Sequence, residues 1–248
     1  DPTNFDSNMG FETYDNNRST RLKQLIDEYE KLDYDDFKRI KYDRQYPRPY
    51  TFNWMDIHYL ELLDSKKYPD IEMLIERLQA WDRKADKNSL GAGTFAVLYD
   101  QLRPFYSKIP EPKIFPASYI IQALRNTKKY LLKYFNTTEV KLGDYQKLVR
   151  GSKELPIFGL PDVITAMSSR PYKDGKVKVV SGESYIELIR FTDKGPEIES
   201  VISYGSSDHP DSKHYDDQME MYANFKTKKM TLNKDSVYKN AKRIYNPK

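Results

Sequence analysis

SYIELIRF at residues 184–191 and EIESVISY at residues 197–204 decide the fold of the last third of this chain. Both segments are rich in β-branched and aromatic residues, and the second alternates polar with apolar positions, which is the period of a half-buried strand. Between them, Asp193-Lys194-Gly195-Pro196 is typical of a turn. The two segments therefore predict a β-hairpin.

The residues after the hairpin predict a helix. Asp208, Pro210 and Asp211 interrupt the extended chain, and the segment from His214 to Phe225 then carries apolar side chains at helical spacing. Asp216, Asp217 and Gln218 are interpreted as helix-start residues, since carboxylates are favoured at the positive end of the helix dipole.

Three motifs occur in a fixed order in this region: GESYIELIRF at 182–191, SVISYGSS at 200–207 and SKHYDDQMEMY at 212–222. Together they resemble the C-terminal end of the penicillin acylase family, the N-terminal-nucleophile amidohydrolases that include acyl-homoserine lactone and aculeacin acylases. Residues 142–162 are similar to the same acylases in their Gly-Asp, Arg-Gly and Leu-Pro pairs. They depart at Leu142, where relatives more often have Trp, and at Gln146-Lys147, where relatives have His-Arg.

Composition restricts the class of protein. The 41 basic and 37 acidic residues nearly balance, so the net charge of +4 does not indicate a nucleic-acid partner. Cysteine is absent, which excludes disulfides, thiol nucleophiles and thiolate metal sites. No apolar run approaches the roughly 20 residues that a membrane span requires, so no membrane partner is expected.

The first two-thirds of the chain predict helices. Apolar periodicity and capping residues place them at 18–31, 33–46, after an Asn53 cap, after Pro69, and at 94–106 and 117–135. The predicted fold class is α+β, with a helical region at 1–136 and a strand region with C-terminal helices at 137–248. The resemblance implies that the strands are antiparallel and belong to an αββα sandwich.

Arg18 is the one candidate site residue. Asn17-Arg18-Ser19-Thr20-Arg21 matches a family pattern in which an asparagine and an arginine open a helix. The resemblance implies that Arg18 lies beside the active site and supports its hydrogen-bond network. Judged from the residues alone, Arg18 and Arg21 are equally compatible with solvent-facing positions or with ion pairs to Asp27 and Glu28.

Other polar residues are interpreted as structural. His58, His209 and His214 are scattered, and His214 is expected to cap the helix predicted to begin there or to bond a neighbouring carbonyl. Asp82 and Asp86, spaced i and i+4, are candidates for a cation site but are better explained as part of a salt-bridged turn. Ser184 lacks the strand–turn–helix pattern of a nucleophile elbow.

The resemblance implies chemistry that this chain does not carry. Family members attack the amide with the side-chain oxygen of an N-terminal Ser and use its own α-amino group as base. This chain starts at Asp1, and its early asparagines do not match the oxyanion motif. We therefore expect a C-terminal fragment, inactive alone, whose partners are the upstream acylase segment or α subunit and a small N-acyl amide. No cofactor is expected, any family calcium site belongs upstream, and the parent is expected to be periplasmic or extracellular.

An alternative hypothesis remains open from the residues. The helical first part and the hairpin are also compatible with a non-catalytic protein-interaction module that needs no upstream sequence. The reading frame upstream of Asp1 distinguishes the two hypotheses.

Overall fold

The computed structural model describes residues 7–10, 15–47, 58–110 and 114–244. The chain divides into two units, residues 1–182 and residues 183–248. The predicted Asn53 cap and the start of its helix lie outside the described residues.

Helices dominate the first unit. They are α1 (Asn17–Ile26), α2 (Tyr34–Lys41), α3 (Tyr59–Leu62), α4 (Glu72–Ala80), α5 (Leu90–Leu102), α6 (Ala117–Phe135) and α7 (Leu142–Tyr145), with 3₁₀ turns at Ser65–Lys67, Arg103–Lys108 and Lys173–Gly175. The range predicted for α6 is confirmed. This helix ends at Asn136, whose left-handed backbone (φ 56°) terminates it.

The first two helices are shorter than predicted. Asn16 and Asp33 cap α1 and α2, each through a capping box. The predicted ends at 31 and 46 are wrong. Leu25 is the last buried residue of α1, so nothing in the core stabilises a further turn.

The core of the first unit surrounds α5, which is buried along most of its length. Two of its glycines allow this close packing. A Cβ on Gly91 would overlap the ring of Trp81, and a Cβ on Gly93 would overlap the carbonyl oxygen of Val140. Both positions exclude any side chain, because the interior has no free volume to absorb one.

Among the described residues of the first unit, four strands follow the helices: β1 (Gln146–Arg150), β2 (Lys153–Pro156), β3 (Met167–Pro171) and β4 (Val177–Gly182). Their order across the sheet is β2-β1-β4-β3. The expectation of antiparallel strands is confirmed except at one pair. β1 and β4 run parallel. After β2, the chain crosses to the opposite edge of the sheet and forms β3 there. β4 then pairs antiparallel with β3 and lies beside β1, in the same direction as β1.

The second unit contains the predicted hairpin. Its elements are β5 (Tyr185–Thr192), β6 (Gly195–Ile202), α8 (Met219–Tyr222), β7 (Lys228–Met230) and α9 (Lys234–Asn240). β5 and β6 pair antiparallel across the turn at Asp193-Lys194, and β7 extends the sheet beside β6. The hairpin is confirmed.

The helix predicted from His214 to Phe225 is mostly absent. Residues 208–217 form successive turns, in which the N–H of Ser212 donates to the carbonyl of His209 and that of Tyr215 donates to the carbonyl of Ser212. The four residues of α8 are the only helical part of this segment, and the left-handed backbone of Phe225 (φ 56°) follows them. The interpretation of Asp216 and Asp217 as residues of a helix start is therefore corrected.

The described elements confirm the α+β class, with helices first and strands later. The predicted division at 136/137 follows this change of secondary structure. The division between units lies instead after Gly182, because β1–β4 pack with the helices. One such contact joins α6 to the turn before β4, where Tyr130 Oη donates to the carbonyl of Gly175 at 2.8 Å.

Candidate functional site

The first turn of α1 places two polar residues beside Asp162, one of them buried and the other exposed. Asn16 accepts from the N–H of Ser19 and Ser19 Oγ accepts in return from the N–H of Asn16, both at 2.9 Å, which fixes the start of the helix. Asn17 follows and is fully buried. Arg18 is next, with about half of its side chain exposed.

Asp162 binds both residues. Asn17 Nδ2 donates to Asp162 Oδ2 at 2.9 Å, and Arg18 Nε lies 3.5 Å from Asp162 Oδ1. The Asp162 side chain is only 11% exposed, so its charge lies largely out of water. The structure therefore pairs Arg18 with Asp162, and the pairing with Asp27 or Glu28 that the residues alone allowed is not the arrangement found.

Hydrogen bonds hold the segment that carries Asp162. Tyr46 Oη donates to the carbonyl of Pro161 at 2.6 Å, and Gln146 Nε2 donates to the carbonyl of Gly159 at 2.9 Å. The N–H of Gly159 donates to the carbonyl of Ala85 at 2.9 Å. Gly159 has a φ of 85° and packs against Met167, so a side chain here would be strained and would clash.

A cleft of about 360 Å³ opens beside this segment. Arg18 and Asp162 line one part of it, together with residues of α5, its following turn, β1 and β3. The lining residues are Arg18, Ala96, Tyr99, Asp100, Arg103, Tyr145, Gln146, Leu160, Pro161, Asp162, Ala166, Met167, Ser168, Ser169 and Val177. The cleft thus combines apolar walls with two arginines and two carboxylates, a mixture typical of a site for a small ligand.

A second carboxylate in the cleft is held by a tyrosine. Tyr145 Oη donates to Asp100 Oδ2 at 2.7 Å, and Arg103 Nη1 lies 3.7 Å from Asp100 Oδ1. Burial raises the pKa of Asp100, against the lowering effects of Tyr145 and Arg103. Burial likewise raises the pKa of Tyr99 and of Tyr145 above the usual 10, and both phenols are protonated at neutral pH.

Gln146 connects the cleft wall to the Asp162 segment. Its side chain is buried, and Ser169 Oγ donates to Gln146 Oε1 at 2.9 Å while Gln146 Nε2 donates to the carbonyls of Phe158 and Gly159. The family pattern has His at this position. The glutamine supplies one acceptor and two donors, all in use between β1, β3 and the loop.

None of the three histidines is among the residues that line the cleft. His58 stacks on Tyr59, and His209 Nε2 lies 3.6 Å from the carboxylate of the adjacent Asp208. His214 Nδ1 is 2.7 Å from Asp217 Oδ2, so the expectation that it caps a helix or bonds a carbonyl is wrong.

Asp82 and Asp86 are bound by protein groups. Asp86 Oδ2 accepts from Arg44 Nη2 at 2.6 Å, and Asp82 Oδ1 accepts from the N–H of Lys84. Residues 81–87 are not helical, so the i, i+4 argument for a shared face fails and the salt-bridged turn is confirmed.

Across the described residues, no group of three His, Asp or Glu side chains has the arrangement of a metal site. In the same part of the chain, no helix is long and apolar enough to cross a membrane.

Sequence reasoning missed Asp162 and Asp100. Asp100 is one of a few polar positions in a largely apolar helix. Asp162 follows Gly159-Leu160-Pro161, a turn signal, and its own left-handed backbone (φ 66°) is one that Asp tolerates. That signal predicts a loop but not its partner, which is 145 residues away in the chain.

The chain is similar to known acylases over most of its length. The model of the penicillin amidase family matches residues 2–239. Acyl-homoserine lactone acylase PvdQ of Pseudomonas savastanoi pv. phaseolicola is 31% identical over 172 residues, which are 60% of this chain and 22% of that protein. The PvdQ of Pseudomonas fluorescens Pf0-1 is 28% identical over 187 residues, 66% of this chain and 24% of that protein.

The chain therefore spans about a quarter of the length of these curated relatives. Among solved structures, the match to a thermostable penicillin G acylase from Alcaligenes faecalis covers 96% of this chain and 54% of that one, at 15% identity and a TM-score of 0.47. The family match over residues 2–239 covers nearly the whole chain of 248 residues. On that match, the chain belongs to the penicillin amidase family.

Proposed function

We propose that this chain is part of an acylase that hydrolyses a linear amide bond in an N-acyl substrate such as an acyl-homoserine lactone or a β-lactam. The observation that carries the proposal is the family match across residues 2–239. The relatives named above, which are acyl-homoserine lactone acylases, support it for the class of substrate.

The reaction is an acyl transfer in two steps. A Ser hydroxyl attacks the amide carbonyl, its proton passes through the α-amino group of the same residue to the departing amine, and an acyl-enzyme ester remains. Water then attacks the ester and releases the carboxylic acid. An α-amino group suits this task because its pKa is about 8. Backbone N–H groups and an Asn side chain stabilise the oxyanion.

The nucleophile and oxyanion residues are proposed to lie outside residues 1–248. This chain would contribute the helical region beside the acyl pocket and strands of an αββα core. Arg18 is proposed as a supporting residue of the site. Its half-exposed guanidinium lines a cleft with both polar and apolar walls, which favours that role over a purely solvent-facing one.

The upstream acylase segment or α subunit is proposed as the protein partner, with no nucleic-acid or membrane partner. The near balance of charge supports the exclusion of nucleic acid. We propose no cofactor for the reaction and a periplasmic or extracellular location for the parent.

The substrate class is tested on the natural gene product that contains this chain. It is incubated with N-acyl homoserine lactones of graded chain length and with an N-acylated β-lactam, and the products are identified by mass spectrometry. The expected products are the free fatty or aryl acid and the free amine. An opened lactone with an intact amide would contradict the proposal, since it requires cleavage of the ester instead.

The location of the nucleophile has its own test. We expect purified residues 1–248 to release no acid from any substrate that the natural gene product hydrolyses. The matched control is the gene product at the same molar concentration. Amide hydrolysis that stays with the purified chain through further purification would show that a nucleophile lies within it.

A further inference from the structure

We propose that Asp162 is a positioning residue of the acylase site and that its carboxylate fixes the guanidinium of Arg18 at the cleft. This inference rests on the supporting role proposed for Arg18. It adds a residue to which sequence motifs alone assign no role.

The contacts of Asp162 distinguish it from an ordinary surface partner. Its two oxygens bind two consecutive residues of α1: Oδ2 accepts from Asn17 Nδ2 at 2.9 Å, and Oδ1 lies 3.5 Å from Arg18 Nε. One carboxylate therefore fixes both the helix start and the direction of the arginine. Because Arg18 contacts Asp162 through Nε, the terminal nitrogens of its guanidinium can still donate hydrogen bonds to a second oxygen.

The support of Asp162 is rigid. The preceding residue is held by buried Tyr46, whose Oη donates to the carbonyl of Pro161 at 2.6 Å, and Gly159 is fixed at both its N–H and its carbonyl. The left-handed backbone of Asp162 (φ 66°) is disfavoured for a non-glycine residue, so the surrounding contacts hold it in place. A side chain held on such a support keeps a fixed geometry, which is what a positioned group in a site requires.

Burial makes the charge of Asp162 depend on its partners. With 11% of the side chain exposed, a carboxylate here is desolvated, and Asn17 and Arg18 compensate for that loss of water. Asp162 and Arg18 therefore depend on each other. Removal of either should change the behaviour of the other, so their mutational effects should not add.

The same helix offers a matched control. One turn after Arg18, Arg21 makes a closer pair with Asp43, from Nε to Oδ1 at 3.2 Å and from Nη2 to Oδ2 at 2.9 Å. The two side chains are 17% and 14% exposed. Neither residue is among those that line the cleft. Asp43 thus ties α1 to the rest of the first unit as Asp162 does, without facing the site.

The test compares Asp162→Asn with Asp43→Asn in the natural gene product. A misplacement of about 1 Å in a catalytic constellation costs up to about a hundredfold in rate. We expect Asp162→Asn to lower kcat between tenfold and a hundredfold. Asp43→Asn should keep kcat within about twofold of wild type, while lowering the unfolding temperature at least as much as Asp162→Asn does. Equal kcat losses in both variants would overturn the proposal, because both aspartates would then act through the stability of α1 alone.

A rescue experiment separates positioning from stability. Free guanidinium ion at millimolar concentration should restore part of the activity of Arg18→Ala, since the Asp162 carboxylate is still present to hold it. The double variant Arg18→Ala with Asp162→Asn should show no rescue. Rescue of equal size in both would overturn the role of Asp162.

The outcomes distinguish this inference from the one on which it rests. Full activity in Arg18→Ala would refute the role of Arg18 and, with it, that of Asp162. Loss of activity in Arg18→Ala together with full activity in Asp162→Asn would refute only the positioning role. If Asp162→Asn does not fold, Asp162→Glu keeps the charge and displaces the carboxylate by one methylene. Unchanged kcat in that variant would also overturn the proposal.

Discussion

Asp100 shows how a partly buried carboxylate makes the stability of this protein depend on pH. It accepts from Tyr145 and lies near Arg103, yet burial dominates and raises its pKa above the usual 3.8. Burial also raises the pKa of Tyr99, another residue that lines the cleft, above its usual value of 10. The folded protein therefore binds the Asp100 proton more tightly than the unfolded chain does.

This raised pKa makes the stability of the protein depend on pH in a definite direction. A carboxyl whose folded pKa is raised contributes stability below its unfolded pKa and loses that contribution as pH rises through the folded value. Asp100→Asn keeps an acceptor oxygen for Tyr145 and cannot ionise, so we expect the variant not to lose stability at this position as pH rises. Relative to wild type, the free energy of unfolding of the variant should increase from about pH 4 upward.

Urea unfolding followed by tryptophan fluorescence at a series of pH values measures this difference. Asp144→Asn is a suitable control, because that carboxyl lies outside the cleft-lining set. Parallel pH profiles for Asp100→Asn and wild type would show that Asp100 titrates alike in the folded and unfolded states.

At the scale of the element, α1 depends on its cap. Leu25 is the only apolar side chain buried within this fully described helix, so packing stabilises it little and its start matters more than usual. Asn16 closes a capping box with Ser19, and the two residues that follow Asn16 are those that bind Asp162. The cap therefore fixes the part of the helix that reaches the cleft.

We expect Asn16→Ala to destabilise the protein by about 1 kcal/mol, the usual cost of a lost cap. Asn16→Asp keeps the accepting oxygen and should cost only a small part of that amount. The midpoint of urea unfolding reports the difference. Equal destabilisation by the two substitutions would indicate that the contact with Ser19 contributes nothing to stability.

At the scale of the whole molecule, β5 carries apolar side chains on both faces. Ile186 and Leu188 are buried, whereas the alternate residues Tyr185, Ile189 and Phe191 are exposed, Phe191 by 83%. Among the described strands of the second unit, β5 lies at the edge of its sheet. An apolar edge strand is a template for pairing with another chain.

We expect purified residues 1–248 to self-associate through this edge. Phe191→Lys should shift the distribution toward monomer in analytical ultracentrifugation, because a charge on an edge strand opposes pairing. Leu62→Lys, at an exposed apolar position on α3, is the control and should leave the distribution unchanged. A wild-type chain that stays monomeric at high concentration would contradict the expectation.

The elements that local chemistry specifies were predictable. The hairpin, α6 and the caps at Asn16 and Asp33 follow from alternation, periodicity and side-chain capping, all of which act between residues a few positions apart. The failed helix after His214 shows where local patterns mislead. Helical spacing is present there, but turn hydrogen bonds around His209 and Ser212 satisfy the backbone instead.

The sequence by itself determined the α+β class and the family, and it singled out Arg18 as a candidate, because motifs and periodicities are written in consecutive residues. Only the tertiary structure decided that β1 and β4 run parallel and that Asp162 meets Asn17 and Arg18. The contacts of Asp162 join positions far apart in the chain. Their energies depend on burial and on the geometry of two segments together, and neither property belongs to a local stretch of chain.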